Sequence, residues 1–137
     1  MDNINKAIED IAVSGMKAQA ERLRVISENL ANADSLPRAP DEQPYRRKII
    51  TFRNVLDKSI GADVVRVDKI DVDRSPFNKI YEPNHPAADA AGYVLTPNVN
   101  SLVELMDMRE AERSYEADMD VVSASRTMLN NTISLLK

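Results

Sequence analysis

Near the N-terminus, apolar and small residues recur at helical spacing. Ile4, Ile8, Ile11, Gly15, Ala18 and Val25 fall on one stripe, and Ala12, Met16, Leu23, Ile26, Leu30 and Ala33 on a second. The pattern predicts a helix from about Asn3 to Ala33, with Asp2 or Asn3 as its cap. The same spacing returns at the other end of the chain. Tyr115, Met119, Val122, Leu129, Ile133 and Leu136 form one stripe, interrupted by Arg126. Val121, Ala124, Met128 and Leu135 form its neighbour, interrupted by Asn131. A second helix is therefore expected from the Asn98–Ser101 region to Lys137, with Ser101 and Glu104 at capping-box spacing.

Between the two helices the period changes. All seven prolines lie between Leu36 and Asn98, and proline breaks helix interiors. The stretch from Asp34 to Pro44 reads as extended chain, because residues before proline avoid the α region. Tyr45 to Phe52 and Val64 to Val72 are strand candidates, Glu82 to Gly92 is a loop, and Tyr93 to Leu95 a short strand. The expected fold class is mostly α. Long N- and C-terminal helices pair in a coiled-coil-like hairpin, with a small loop-rich β element between them. The divisions are 1–33, 34–97 and 98–137, and the middle piece is too small to stand as an independent domain.

One apolar stripe is the seam of a two-stranded coiled coil; two adjacent stripes imply more than one neighbouring helix. Helices of these lengths would run roughly 45 and 55 Å. A compact globule of this chain length has a radius of gyration of about 14 Å. Apolar surface is thus expected to remain after the hairpin forms, for other subunits to cover. The plainer alternative is a self-contained hairpin with one wide core face.

Composition narrows the classes. Aromatic residues make up only 4% of the chain and Trp is absent, which suits helix-on-helix packing better than a sheet sandwich. A net charge of −4 argues against nucleic acid and against an anionic bilayer as partner. No apolar run approaches the roughly 20 residues that span a membrane. The start MDNINKAIEDIAVSG shows no apolar core and no small-residue cleavage site, so no cleaved secretory signal is expected. Cysteine is absent, which excludes disulfides and thiolate sites.

Candidate chemistry is sparse. The three glycines are far apart and form no phosphate loop. His85 is the sole histidine and sits in Asn84-His85-Pro86, a turn sequence, so His-based metal sites and Ser-His-Asp catalysis lack material. Asp71, Asp73, Ser75, Phe77, Lys79 and Glu82 take calcium-loop positions, but Pro76 stands where glycine is needed and Lys79 offers a cation. Arg46-Arg47-Lys48 reads as a solvated edge or a salt-bridging surface. On the last helix, Arg109–Arg113 and Glu112–Glu116 are like-charged pairs that ask for partners from other helices. No catalytic residue, cofactor or metal site is expected, and the chain does not read as an enzyme.

Three segments carry a resemblance. Ser27-Glu28-Asn29-Leu30-Ala31-Asn32-Ala33-Asp34-Ser35 resembles the Asn-Leu-Ala-Asn signature that ends the first helix of bacterial flagellar axial proteins. Tyr45-Arg46-Arg47-Lys48 is similar to the stretch that follows it. Tyr81 to Asp89, then Gly92-Tyr93-Val94-Leu95 and Pro97-Asn98-Val99-Asn100, resemble the proximal-rod branch of that family, and the likeness continues through Glu104-Leu105-Met106 and Ser114-Tyr115-Glu116-Ala117. Ser35 and Leu36-Pro37 depart from the family's Thr and Pro-Gly, which touches only the local loop.

The resemblance implies a structural subunit of the flagellar basal-body rod, the hollow drive shaft that crosses the periplasm. Its partners would be copies of itself and other rod proteins in a helical tube, together with the flagellar type III export apparatus. Nucleic acid, direct membrane insertion and a small-molecule substrate are not expected. Terminal helices of such subunits stack around a central channel, with the middle element outside. The expected interface residues are Ile4, Ile8, Ile11, Leu23, Ile26, Leu30, Tyr115, Met119, Val122, Leu129, Ile133 and Leu136. Asn29 and Asn32, with Asn130 and Asn131, would set register by polar pairing, or else cap helices and face solvent. Another rod protein, or a soluble helical adaptor or chaperone-like module that clasps a client, remains open.

Overall fold

A computed structural model describes residues 2–136; Met1, Lys137 and the side chain of Asp2 lie outside the described residues, as do a cap on Asp2 and a helix reaching Lys137. The element order is α1 (Asp2–Ala31), β1 (Lys48–Asp57), β2 (Ala62–Val72), β3 (Asn78–Tyr81), β4 (Tyr93–Thr96) and α2 (Ser101–Leu135). The expected layout of two long helices flanking a small β region is what the chain adopts. β1 pairs with β2 and β3 with β4, as two separate two-stranded sheets. No helix among the described residues is long and apolar enough to cross a membrane.

Boundaries differ from expectation for physical reasons. β1 begins at Lys48 instead of Tyr45 and runs five residues past Phe52. Polar Arg53 and Asn54 hide that extension, yet the strand continues to a tight hairpin closed by Gly61 at φ +67°, whose N–H donates to the carbonyl of Asp57 at 2.9 Å. β3 is an addition to the expected elements: Asn78-Lys79-Ile80-Tyr81 is too short to show a period. The Ser101–Glu104 capping box is also corrected. Asn100 is the cap, its Oδ1 accepting from the N–H groups of Leu102 (3.1 Å) and Val103 (3.3 Å). Glu104 is thereby released from capping and turns inward.

The chain divides into two compact units. The first comprises residues through Leu23, Thr51–Lys69, and the stretch from Arg109 onward. Here α1 and α2 run antiparallel: Ser125 donates to the carbonyl of Asn5, Arg126 pairs with Glu9 at 2.7 Å, and Arg22 with Glu110 at 3.5 Å. The buried residues are small (Ala12, Ala18, Ala111, Ser125), with Val64 from β2. The Ser14 hydroxyl joins helix to hairpin, donating to the carbonyl of Ile11 at 2.7 Å and accepting from the N–H of Val65 at 3.2 Å.

The second unit comprises Arg24–Ile50 and Ile70–Met108. Val25, Ile26, Ala87 and Val94 form its apolar core. α1 ends here at Ala31, and the next residue, Asn32, donates both its N–H (3.2 Å) and its Nδ2 (2.8 Å) to the carbonyl of Glu28.

Candidate assembly interface

The most interconnected feature of the second unit is a buried polar node. Asn29 sits on the inner face of α1 and is 1% exposed. Its amide is fully used: Nδ2 donates to the Lys48 carbonyl (2.9 Å) and to Glu104 Oε2 (3.1 Å), while Oδ1 accepts from the Tyr45 hydroxyl (2.8 Å) and the Lys48 N–H (2.9 Å). The helix residue thus meets Lys48 as a neighbouring strand would, through both backbone groups.

Glu104 is likewise 1% exposed, and its second oxygen accepts from Arg47 Nε. Arg47 also faces Asp73 and Asp107, each at 3.6 Å. Burial works against the Arg47 charge, but the hydrogen bond and charge of Glu104, with those of Asp73 and Asp107, outweigh it and hold the guanidinium pKa above its usual value. Breaking a buried pair of this kind by removing one partner costs about 3–5 kcal/mol. Lys48 pairs with Glu28 at 2.7 Å, which lowers the Glu28 pKa. Arg46 stacks on Phe77, 4.1 Å from the ring centre, and donates to the carbonyls of Asp73 and Ser75. The Arg46-Arg47-Lys48 run is therefore a salt-bridging surface, turned largely inward.

In the first unit, α2 presents two faces of different character. Ala111, Asp118, Ser125 and Thr132, spaced by seven, are covered or half-covered, together with Tyr115, Val122 and Leu129. The stripe of Ala117, Val121, Ala124, Met128, Asn131 and Leu135, roughly a third of a turn round the helix, is exposed throughout, with Met128 at 53% and Leu135 at 88%. Its spacing of four and three is that of a heptad seam. From Val121 to Leu136 the only charge is Arg126, already engaged by Glu9.

The residues expected at an interface divide accordingly. Tyr115, Val122 and Leu129 are half-buried within the chain, while Met119, Ile133 and Leu136 are exposed. On α1, Ile4 and Ile11 are exposed and Ile8 and Leu23 half-buried; in the second unit, Ile26 and Asn29 are buried and Leu30 and Asn32 half-buried. Sequence reasoning misses Arg47, Tyr45 and Glu104 as a group. The signal available is a carboxylate flanked by Val103 and Leu105, at a position where the apolar pattern asks for a buried residue.

His85 takes the turn role: its Nδ1 accepts from the N–H of Ala87 at 3.0 Å, and its own N–H donates to the Glu82 carbonyl. In the calcium-like stretch, Asp73 Oδ1 accepts from the N–H and hydroxyl of Ser75, and these bonds lower the Asp73 pKa. Among the described residues no three acidic or histidine side chains cluster as metal ligands.

Two family models match. Residues 10–35 match that of the flagella basal body rod protein, and residues 90–135 that of the flagellar basal body rod FlgEFG protein C-terminal region. The chain is 48% identical to the flagellar basal-body rod protein FlgC of Agrobacterium fabrum, covering all of this chain and 98% of that protein. It is 40% identical to the FlgC protein of Escherichia coli O157:H7 and 35% to that of Bacillus subtilis, with 93% of this chain and 95% of each relative covered.

Proposed function

We propose how this chain, which belongs to the FlgC family of flagellar basal-body rod proteins, is built into its assembly. It is a structural subunit of the basal-body rod and not an enzyme, and it assembles with other rod components. Residues 1–33 and 98–137 serve as the axial core, paired in coiled-coil fashion, and residues 34–97 form an outward element. The subunit joins copies of itself and other rod proteins in the hollow proximal shaft that carries torque across the periplasm. It reaches that place through the flagellar type III export apparatus without a cleaved signal peptide.

One observation carries this reading: the stripe of Val121, Ala124, Met128 and Leu135 is exposed and apolar, and between Val121 and Leu136 the only charge is Arg126. Surface of that composition stays in water only at a cost, and a partner helix that covers it supplies the missing core. Ile133, Leu136, Met119, Ile4, Ile8 and Ile11 extend the contact beside it. A shaft needs many subunits locked by distributed contacts, and head-to-tail interfaces that do not close generate helical filaments. Imaging purified basal bodies at side-chain resolution tests the proposal. Val121, Ala124, Met128 and Leu135 should lie against a neighbouring subunit; the same residues facing open solvent there would overturn it.

A further inference from the structure

β3 and β4 pair with Asn78 opposite Thr96, Lys79 opposite Leu95, Ile80 opposite Val94 and Tyr81 opposite Tyr93. Beyond them, the N–H of Glu82 donates to the Gly92 carbonyl at 2.9 Å, so Glu82 and Gly92 stand at a bonded position of the ladder. Bonded and non-bonded pairs alternate in an antiparallel ladder. The N–H and C=O of Tyr93 therefore point away from β3, and those of Tyr81 and Lys79 point away from β4. At Tyr93 the outer edge of β4 is closed: Asp89 donates its N–H to the Tyr93 carbonyl at 2.9 Å and accepts the Tyr93 N–H on Oδ1 at 3.0 Å. On the outer edge of β3 nothing among the described residues does the same, and all four of its residues are exposed.

The two sides of that edge are already shaped. Ile80 lines a cavity of about 350 Å³ with Leu36, Pro97 and Val99, and exposed Asp34 stands at its wall. On the other side, the Tyr81 ring is 65% exposed yet held in place. It packs edge-on to Tyr93 at 5.3 Å and covers Gly92, where a Cβ would stand 2.8 Å from its Cε2. Glu82, next along the chain, is exposed.

We propose that β3 is a strand-addition site, resting on the reading of this chain as a rod subunit. The occupant is an extended segment of a different, neighbouring rod component. It pairs its backbone with Lys79 and Tyr81, places one aliphatic side chain in the cavity beside Ile80, and carries cations for Asp34 and Glu82. Backbone pairing supplies the affinity in such docking, and alternate side chains supply the selectivity. Asp34 and Glu82 outnumber Lys79, the one cation on β3, and so select a basic segment over an acidic one.

Hydrogen exchange of the full chain, free and in purified basal bodies, tests this. The peptide covering residues 78–82 should exchange at least about tenfold more slowly in the assembled rod. The chain present in basal bodies with that peptide exchanging as in the free protein would overturn strand addition and leave the rod reading standing. Absence of the chain from basal bodies would sink the rod reading itself. Lys79→Pro removes an outward N–H without touching the β3–β4 ladder; it should abolish swimming, while Lys79→Ala swims. Equal swimming by both variants would overturn the proposal. A photo-crosslinker replacing Tyr81 should join the chain to a basic extended segment of another rod protein. Adducts only to a second copy of this chain, or to an acidic segment, would overturn the occupant named here.

Discussion

The carboxylate of Asp118 lies directly over Gly15. A Cβ built on Gly15 would stand 2.4 Å from Asp118 Oδ2 and 3.0 Å from its Cγ. Rotating the carboxylate alone does not clear the second contact, so the short side chain must change its first rotamer or the helices must part. Gly15→Ala is therefore expected to destabilise the free chain, although alanine is the better helix former by up to about 1 kcal/mol. On an Asp118→Ala background the same change should become neutral or stabilising. Thermal melts of the four proteins give the coupling, expected at about 1 kcal/mol or more. Additive effects would show that the helices do not approach this closely.

Burial raises the Asp118 pKa above its usual value. A raised carboxylate pKa means the folded chain binds the proton more tightly than the unfolded chain does. The penalty is present at neutral pH, shrinks as pH falls through the raised value, and is gone below the ordinary value near 3.8. Asp118→Asn should raise the melting temperature at pH 7 and lose that advantage in acid. Asp73 carries the opposite sign. Its pKa is lowered by the Ser75 hydroxyl and N–H, so its contribution is lost as pH falls. An Asp118→Asn protein no more stable than the parent at pH 7 would count against the burial argument.

At the polar node, Arg47→Ala leaves Glu104 buried with its charge uncompensated. Urea unfolding should report a loss of about 3–5 kcal/mol. Arg47→Met combined with Glu104→Leu, which removes both charges, should recover most of it. A single Arg47→Ala costing less than about 1 kcal/mol would place the pair in the class of surface bridges.

Ile133 and Leu136 are exposed, Leu136 at 83%, so aspartate at both positions is tolerated by the free chain. At the subunit interface proposed for these residues the same charges would cost several kcal/mol per subunit. Cells carrying Ile133→Asp with Leu136→Asp are expected to export the protein, build no rod and fail to swim. His85→Ala, which removes only a turn contact, should swim nearly as wild type. Swimming by the double variant, or paralysis with a stable exported His85→Ala protein, reverses the conclusion.

The export route proposed above, without a cleaved signal, predicts that the protein in purified basal bodies keeps its encoded start, apart from possible loss of Met1. Intact-mass measurement reads this directly. A form shorter by about 15–30 residues would point to the secretory route.

The two helices are legible in the sequence because proline is excluded from them and two apolar stripes mark each. The stripes do not say which one the chain covers by itself. On α2 the covered face includes Asp118 and Ser125, residues no hydrophobicity argument selects, while Met128 and Leu135 face outward. β3 is invisible in the sequence because four residues between Pro76 and Pro83 carry no period. Glu104 reads as part of a helix cap because its partner Arg47 lies 57 residues away, and burial of a charge depends on what meets it. The Asn-Leu-Ala-Asn motif points to Asn29, but its contacts with Lys48 and Tyr45 need the fold.

With two donors and two acceptors engaged, Asn29 has no synonym in the genetic alphabet. Aspartate would offer acceptors alone and set a second negative charge against Glu104; glutamine has the same head on a longer stem; serine and threonine lack the second donor. Most positions on a helix accept several residues at little cost, but this one specifies a single letter. A change there alters at once how the helix ends, where the first strand begins, and where the buried carboxylate points.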